Sequence, residues 1–244
     1  GFNLTKPPFR DNPDLRRALS MVIDRDVLVE KITGRGESPA WSWVPPGIDN
    51  YVPPQLGYAG MTQEERNNAA RGLYRAAGYT EESPLKIEFR YNTSAAEERI
   101  AIAVQSMWKD VLGVETTLVN EEFQVLLSNL REKEITQVFR GSWIGDYNDA
   151  TTFLNLMAGE DPSNMTGFAS DEFDGLMNRA ASQVDPDRRR LYLEEAERVA
   201  LEAHAVIPIY FYVSKALVAP EVRGWEDNVL NYHYSQHLSL EAAQ

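Results

Sequence analysis

The sequence predicts an α/β protein with a central, mainly parallel sheet flanked by helices. Three observations predict it. Leu85-Lys86-Ile87-Glu88-Phe89-Arg90-Tyr91 alternates apolar and polar residues with period two, the pattern of a strand with one buried face. Ile100, Ala103, Val104, Met107, Trp108 and Val111 then recur at helical spacing. Residues 114–119, 121–133 and 135–140 continue as strand, helix and strand with short joins, an order that calls for right-handed crossovers between parallel strands.

Element by element, Asn12 and Pro13 open a helix whose apolar face carries Leu15, Ala18, Leu19, Val22 and Ile23. Asp24 caps a second segment with Val27, Leu28 and Ile32, which stops at Gly34. Residues 35–60 hold five prolines and four glycines among Trp41, Trp43, Tyr51 and Tyr58, so they predict an ordered loop packed by its aromatics. The two tryptophans there either lock that loop onto the domain or line a cleft, and locking is the preferred reading. Thr62-Gln63-Glu64-Glu65 and Ser94-Ala95-Ala96-Glu97 have the form of capping boxes. Further helices are expected near residues 151–157, after Ser170, and from Asp185-Pro186 to about residue 203. Residues 206–213 predict a last strand that its proline confines to an edge or a first position. The opening Gly1-Phe2-Asn3-Leu4-Thr5 reads like the interior of a strand, as expected of a processed chain or a piece of a longer one.

The 244 residues are 43% hydrophobic, enough for a substantial core, and carry 24 Lys plus Arg against 37 Asp plus Glu, a net charge of −13. That field repels polyanions, and with no basic patch in the sequence nucleic acid is excluded as a partner. The absence of cysteine removes disulfides, thiolate metal sites and cysteine nucleophiles, and fits an oxidising compartment. No nucleophile elbow, phosphate loop or dinucleotide turn is present, so no catalytic residue and no cofactor are assigned. His233 and His237 have metal-ligand spacing only if helical, and Tyr232, Tyr234 and Leu238 around them read as extended chain, so no metal site is assigned either. The run Glu194-Glu195-x-Glu197 reads as a solvated helix face with Arg188, Arg189 and Arg190 as partners. The stripe from Ile100 to Val111 reads as core.

One stretch stands apart: Arg140-Gly141-Ser142-Trp143-Ile144-Gly145-Asp146-Tyr147-Asn148-Asp149 directly follows a predicted strand. It therefore lies at the carboxyl end of the sheet, where open α/β sheets place ligands. A carboxylate there can pair with a ligand amine, an indole offers flat apolar area, and a guanidinium can meet a carboxylate. The alternative is a plain strand-end loop in which Asp146 caps a turn and Trp143 fills the core. The residues leave both open.

Taken together, Gly1-Phe2-Asn3 with Lys6-Pro7-Pro8-Phe9, Arg16-Arg17-Ala18-Leu19-Ser20 with Ile23-Asp24-Arg25, Pro39-Ala40, Val44-Pro45-Pro46-Gly47, Ala76-Ala77-Gly78-Tyr79, the Trp143–Asn148 stretch and Ile207-Pro208-Ile209-Tyr210 resemble a known family in order along the chain. It is that of the extracytoplasmic solute-binding proteins of ABC importers that carry dipeptides and oligopeptides. The resemblance implies a lobe of the type II periplasmic-binding-protein fold, residues 1–220 being the carboxy-terminal peptide-binding lobe and 221–244 a tail returning toward an absent first lobe. It implies a periplasmic location, a peptide ligand, and two protein partners, the amino-terminal half of the same protein and an ABC permease. It places Asp146 on the peptide α-amine, Trp143 at the cleft, Arg140 on a peptide carboxylate, and Tyr147 and Asn148 beside them. Members with the same fold take nickel chelates, haem or sugars, so a non-peptide solute is the alternative ligand.

Overall fold

Asn12 accepts a hydrogen bond from the Leu15 N–H at 3.1 Å and Pro13 fills the first turn, so helix α1 runs Pro13–Val22 with Leu15, Ala18, Leu19 and Val22 buried. The computed structural model describes residues 1–241. Asp24 caps α2 (Arg25–Val27), which passes into a π-helical turn over Leu28–Thr33 and ends at Gly34, whose φ of +60° favours glycine. The proline-rich loop follows, with β1 (Ser38–Pro39) at its start. The Thr62 hydroxyl accepts from the Glu65 N–H, and the Glu65 carboxylate accepts from the Thr62 N–H at 2.8 Å, closing the expected capping box ahead of α3 (Gln63–Ala76).

The sheet comes next, as β2 (Lys86–Asn92), α4 (Ala95–Leu112), β3 (Glu115–Glu121), α5 (Phe123–Glu132) and β4 (Val138–Phe139). Its order is β3-β2-β4 and both pairings are parallel, with Phe89 opposite Leu118 on one side and Val138 on the other. Phe2 adds an antiparallel bridge to Val138, the strand character expected of the first residues. Helices α6 (Thr151–Leu154), α7 (Asp171–Ser182) and α8 (Pro186–Glu202) follow, the last two capped by Ser170 and Asp185. The chain ends in β5 (Tyr210–Phe211), β6 (Val222–Arg223) and β7 (Ser239–Leu240), of which β6 and β7 pair in the tail.

Four expectations are corrected. The strand over residues 135–140 shrinks to two residues because the Asn3 side chain takes the Lys133 and Thr136 carbonyls at 2.8 and 2.9 Å. The strand over 206–213 shrinks to Tyr210–Phe211, antiparallel to Ser38–Pro39 and apart from the main sheet. Pro208 has no N–H to donate, and its carbonyl is held by the Arg25 guanidinium at 2.8 Å. Ser94 caps α4 through the Ala96 N–H, but Glu97 does not complete a capping box, because its carboxylate is drawn to Arg140. The acidic run on α8 is not wholly solvated: Glu194 pairs with Arg190 and Glu195 with Arg198, while Glu197 has no exposure. One turn along from Leu193 and one before Ala200 and Leu201, Glu197 shares their inward face. Part of the expected tail, residues 242–244, lies outside the described residues.

Two large cores hold this together, with a small third cluster of Leu126, Leu130 and Phe139 between α5 and β4. The larger packs α1, α3 and α4 on the sheet through Leu15, Leu19, Tyr74, Phe89, Val104 and Trp108, with the Trp108 indole donating to the Leu19 carbonyl at 2.8 Å. The second joins α6, α7 and α8 to the proline-rich loop through Val44, Ile48, Tyr51, Leu154, Phe173 and Leu193. Arg25, with no exposure, ties the proline-rich loop to the last segment through the Ala40 and Pro208 carbonyls, and its guanidinium lies 4.4 Å from the Trp41 ring. Trp41 thus locks the loop.

Candidate functional site

Because β2 and β4 run parallel, their carboxyl ends emerge side by side, with Asn92 ending β2 and Arg140 starting the loop beyond β4. A cleft of about 690 Å³ opens there. One wall is residues 139–145 with Tyr147, the second is the loop over 38–48, and the third is residues 207–214. Ile100, Val104 and Trp108 form its floor, and Val229 and Leu230 of the tail reach its edge. The lining is mostly aromatic and aliphatic, as small-solute sites usually are.

Of the five residues singled out from the sequence, Arg140, Trp143 and Tyr147 line this cleft, whereas Asp146 and Asn148 lie on the same loop outside the lining. Trp143 is 38% exposed and Ile144 80%, so neither fills the core. The Asp146 N–H donates to the Thr152 hydroxyl at 3.0 Å, and that hydroxyl lies 3.4 Å from the Asp146 carboxylate. Among the described residues no cation lies within ion-pair distance of Asp146, and its side chain faces solvent. Gly145 lets the loop lie down on Phe153, since a Cβ there would stand 3.0 Å from that ring. Asn148 accepts from the Asp49 N–H at 3.1 Å and stitches the two walls together. The neighbouring Asp149 is structural. Burial raises its carboxyl, but hydrogen bonds from Arg189, at 2.7 and 2.9 Å, and from Thr151 outweigh this and hold it down to about 2.

Arg140 is not free. Its guanidinium grips Glu97 with two contacts of 2.9 Å, donates to the Tyr212 hydroxyl at 2.5 Å, and reaches Asn92 at 3.4 Å. Asn92 ends β2, Glu97 lies in the first turn of α4 and Tyr212 follows β5, and nothing in their separate sequence contexts marks them as partners.

Sequence reasoning also missed Glu197, the group that shapes the second wall. It accepts from the Trp43 and Val44 N–H groups at 2.7 and 2.8 Å and from the Tyr51 hydroxyl at 2.5 Å. Burial pushes its carboxyl up to about 7 even though these three donors favour the charged form. Trp43, so positioned, donates its indole N–H to the Phe153 carbonyl at 2.8 Å while lining the cleft, so it both locks and lines. The signal lay in helical spacing, Glu197 standing four residues after Leu193 on the buried face of α8. The histidines stay apart: His204 is buried against Tyr58, while His233 stacks on Trp225 in the tail and His237 ends a 3₁₀ turn.

The pattern of the bacterial extracellular solute-binding proteins, family 5 Middle, matches residues 1–165. The chain belongs to that family. Within the family it is 37% identical over 227 residues to the periplasmic murein peptide-binding protein MppA of Escherichia coli (strain K12), covering 93% of this chain and 42% of that protein. It is 37% identical over 224 residues to the periplasmic oligopeptide-binding protein OppA of the same organism, and 33% identical over 242 residues to its probable deoxycholate-binding periplasmic protein YgiS. Among solved structures, the unliganded open form of the MppA murein tripeptide-binding protein superimposes with a TM-score of 0.90 at 35% identity, over 98% of this chain and 46% of that one. Haemophilus influenzae OppA, in complex with RPPGFSPFR, gives 0.86 at 31% identity over 98% of this chain and 47% of that one. The chain thus spans less than half the length of these relatives. They are named as periplasmic binding proteins and not as enzymes, and the family's extracytoplasmic location is this chain's as well. Among the described residues no helix is long and apolar enough to cross a membrane.

Proposed function

We propose that this chain is the carboxy-terminal lobe of a two-lobed solute-binding protein that captures dipeptides and oligopeptides and hands them to an ABC permease, with no catalytic step of its own. The observation that carries the reading is the loop over residues 141–147: an uncompensated, solvent-facing carboxylate beside an exposed indole and phenol at the carboxyl end of the sheet. Asp146 takes the ligand's α-amine, Trp143 and Tyr147 lie flat along it, and Arg140 and Asn148 hold the surrounding walls. A binder that accepts many sequences must grip the termini and main chain, which are constant, and leave the side chains room. The amino-terminal half supplies the opposing wall and excludes water, which strengthens the ion pair at Asp146. The family assignment and the relatives named for oligopeptides support the same ligand class.

Calorimetry of the full two-lobed protein with a pool of di- to pentapeptides, repeated with Asp146→Ala, tests it. Binding that collapses in the variant supports the amine anchor, and no heat with any peptide refutes the reading. A second reading, an apolar non-peptide solute, is favoured by the mostly apolar cleft and by the relative named for deoxycholate. Binding of such a solute with Asp146→Ala inert would decide for it.

A further inference from the structure

Glu97 and Arg140 are the two charged side chains among the described residues lining the cleft, and they are spent on each other. The contact is bidentate, from the Arg140 Nε and Nη2 to the two Glu97 oxygens at 2.9 Å each. Of the five guanidinium N–H groups, three go to Glu97 and Tyr212 and one points at Asn92. The two side chains are 18% and 12% exposed, so the pair is largely out of water. A ligand carboxylate arriving at Arg140 would meet a guanidinium with one N–H to offer and an enclosed carboxylate next to it. Displacing Glu97 would strand that carboxylate without a partner, the most unfavourable state open to a buried pair.

We propose that Glu97 selects the ligand class of this cleft, cancelling Arg140 so that the lobe takes peptides held by their amine and main chain and gains nothing from a peptide carboxylate at that end. This rests on the peptide reading and sharpens it: the ligands are peptides whose chain runs past Arg140, or whose carboxyl end is blocked. It also replaces the carboxylate-binding role that the resemblance implies for Arg140. The device is a repulsive element built beside an attractive one, which is how sites reject near-relatives of their ligand.

The test is calorimetry of the full two-lobed protein with matched peptides of two to five residues, each with a free carboxylate and as the C-terminal amide. In the unaltered protein the acid and the amide bind within about threefold of each other at every length, since no net charge awaits the carboxylate. Glu97→Gln frees Arg140, and at the length that brings the carboxylate to it the acid gains at least about tenfold over the amide, the effect of one charge-assisted hydrogen bond. Adding Arg140→Gln to that variant returns the ratio to its starting value, and a thermal melt of each variant checks folding. The inference is overturned if the unaltered protein already prefers the acid by about tenfold and Arg140→Gln abolishes that preference. It also falls if Glu97→Gln binds amides as before and gains nothing for acids at any length. Silence from acids and amides alike in every variant removes the peptide reading and this inference together, whereas amide binding without the acid gain removes the inference alone.

Discussion

Replacing Glu197 by alanine takes away the acceptor shared by the Trp43 N–H, the Val44 N–H and the Tyr51 hydroxyl. Val44 has no exposure and Tyr51 is 8% exposed, so water cannot easily take over. A buried donor without an acceptor costs about 1–3 kcal/mol, and three of them, with Trp43 partly open to solvent, put the loss near 3–6 kcal/mol. Glu197→Gln keeps a carbonyl for the two N–H groups and offers the Tyr51 oxygen an amide donor, so it costs about 1 kcal/mol or less. The two variants also differ in pH dependence. Burial lifts the folded Glu197 from the ordinary 4.5 to about 7, so between these values the folded protein keeps a proton that the unfolded chain has released. The stability linked to this group is complete below pH 4.5 and is lost as the pH rises through 7, and at about 1.4 kcal/mol per pH unit the loss totals about 3 kcal/mol. Urea unfolding followed by tryptophan fluorescence, run at intervals from pH 4.5 to 8 on the unaltered protein and on Glu197→Gln, isolates the effect because glutamine does not titrate. The stability advantage of the unaltered protein over Gln falls by about 3 kcal/mol across that range. A constant difference, or an alanine variant that loses less than about 1 kcal/mol, would refute the reasoning.

Arg25→Lys should cost about 3 kcal/mol in urea unfolding, because one ammonium cannot serve the Ala40 and Pro208 carbonyls held by Nε, reach the Ser20 and Ile23 carbonyls held by Nη1, and stack on Trp41 as the planar guanidinium does. Asp149→Asn removes the bidentate contact with Arg189 and lowers stability by about 1 kcal/mol at neutral pH. With its folded carboxyl held down to about 2, Asp149 contributes fully above the ordinary 3.8 and loses that contribution as the pH falls through 2, so the asparagine variant should have a flatter acid limb in thermal melts. The present chain alone should show no micromolar affinity for peptides in calorimetry, since an ion pair at solvent-facing Asp146 is worth about 0–1 kcal/mol without the opposing wall.

Local signals carried much of the fold. Period-two alternation placed β2, and the Thr62–Glu65 box placed the start of α3 to the residue, because each is decided by neighbours within one turn. The parallel sheet followed from the order of elements. Where non-neighbours compete for the same backbone groups the reading went astray: Asn3 took carbonyls from the strand before Val138, and Arg25 took the Pro208 carbonyl. The loop over residues 140–149 was legible as a candidate site from its residue types and its place after a strand. Its inner division, with Asp146 toward solvent and Asp149 on Arg189, was not, because both are aspartates in the same loop and only a partner 40 residues away separates them.

What the sequence determined by itself is therefore the α/β class, the helix caps, the family resemblance and the loop that carries the candidate site. Tertiary structure alone decided the states of the charged groups. Arg140 is cancelled by a glutamate 43 residues earlier, and Glu197, in an acidic run that reads as surface, is enclosed by a loop some 150 residues before it. Propensity and capping depend on contacts within a turn, whereas the standing of a charge depends on what the fold packs against it and how much water it leaves.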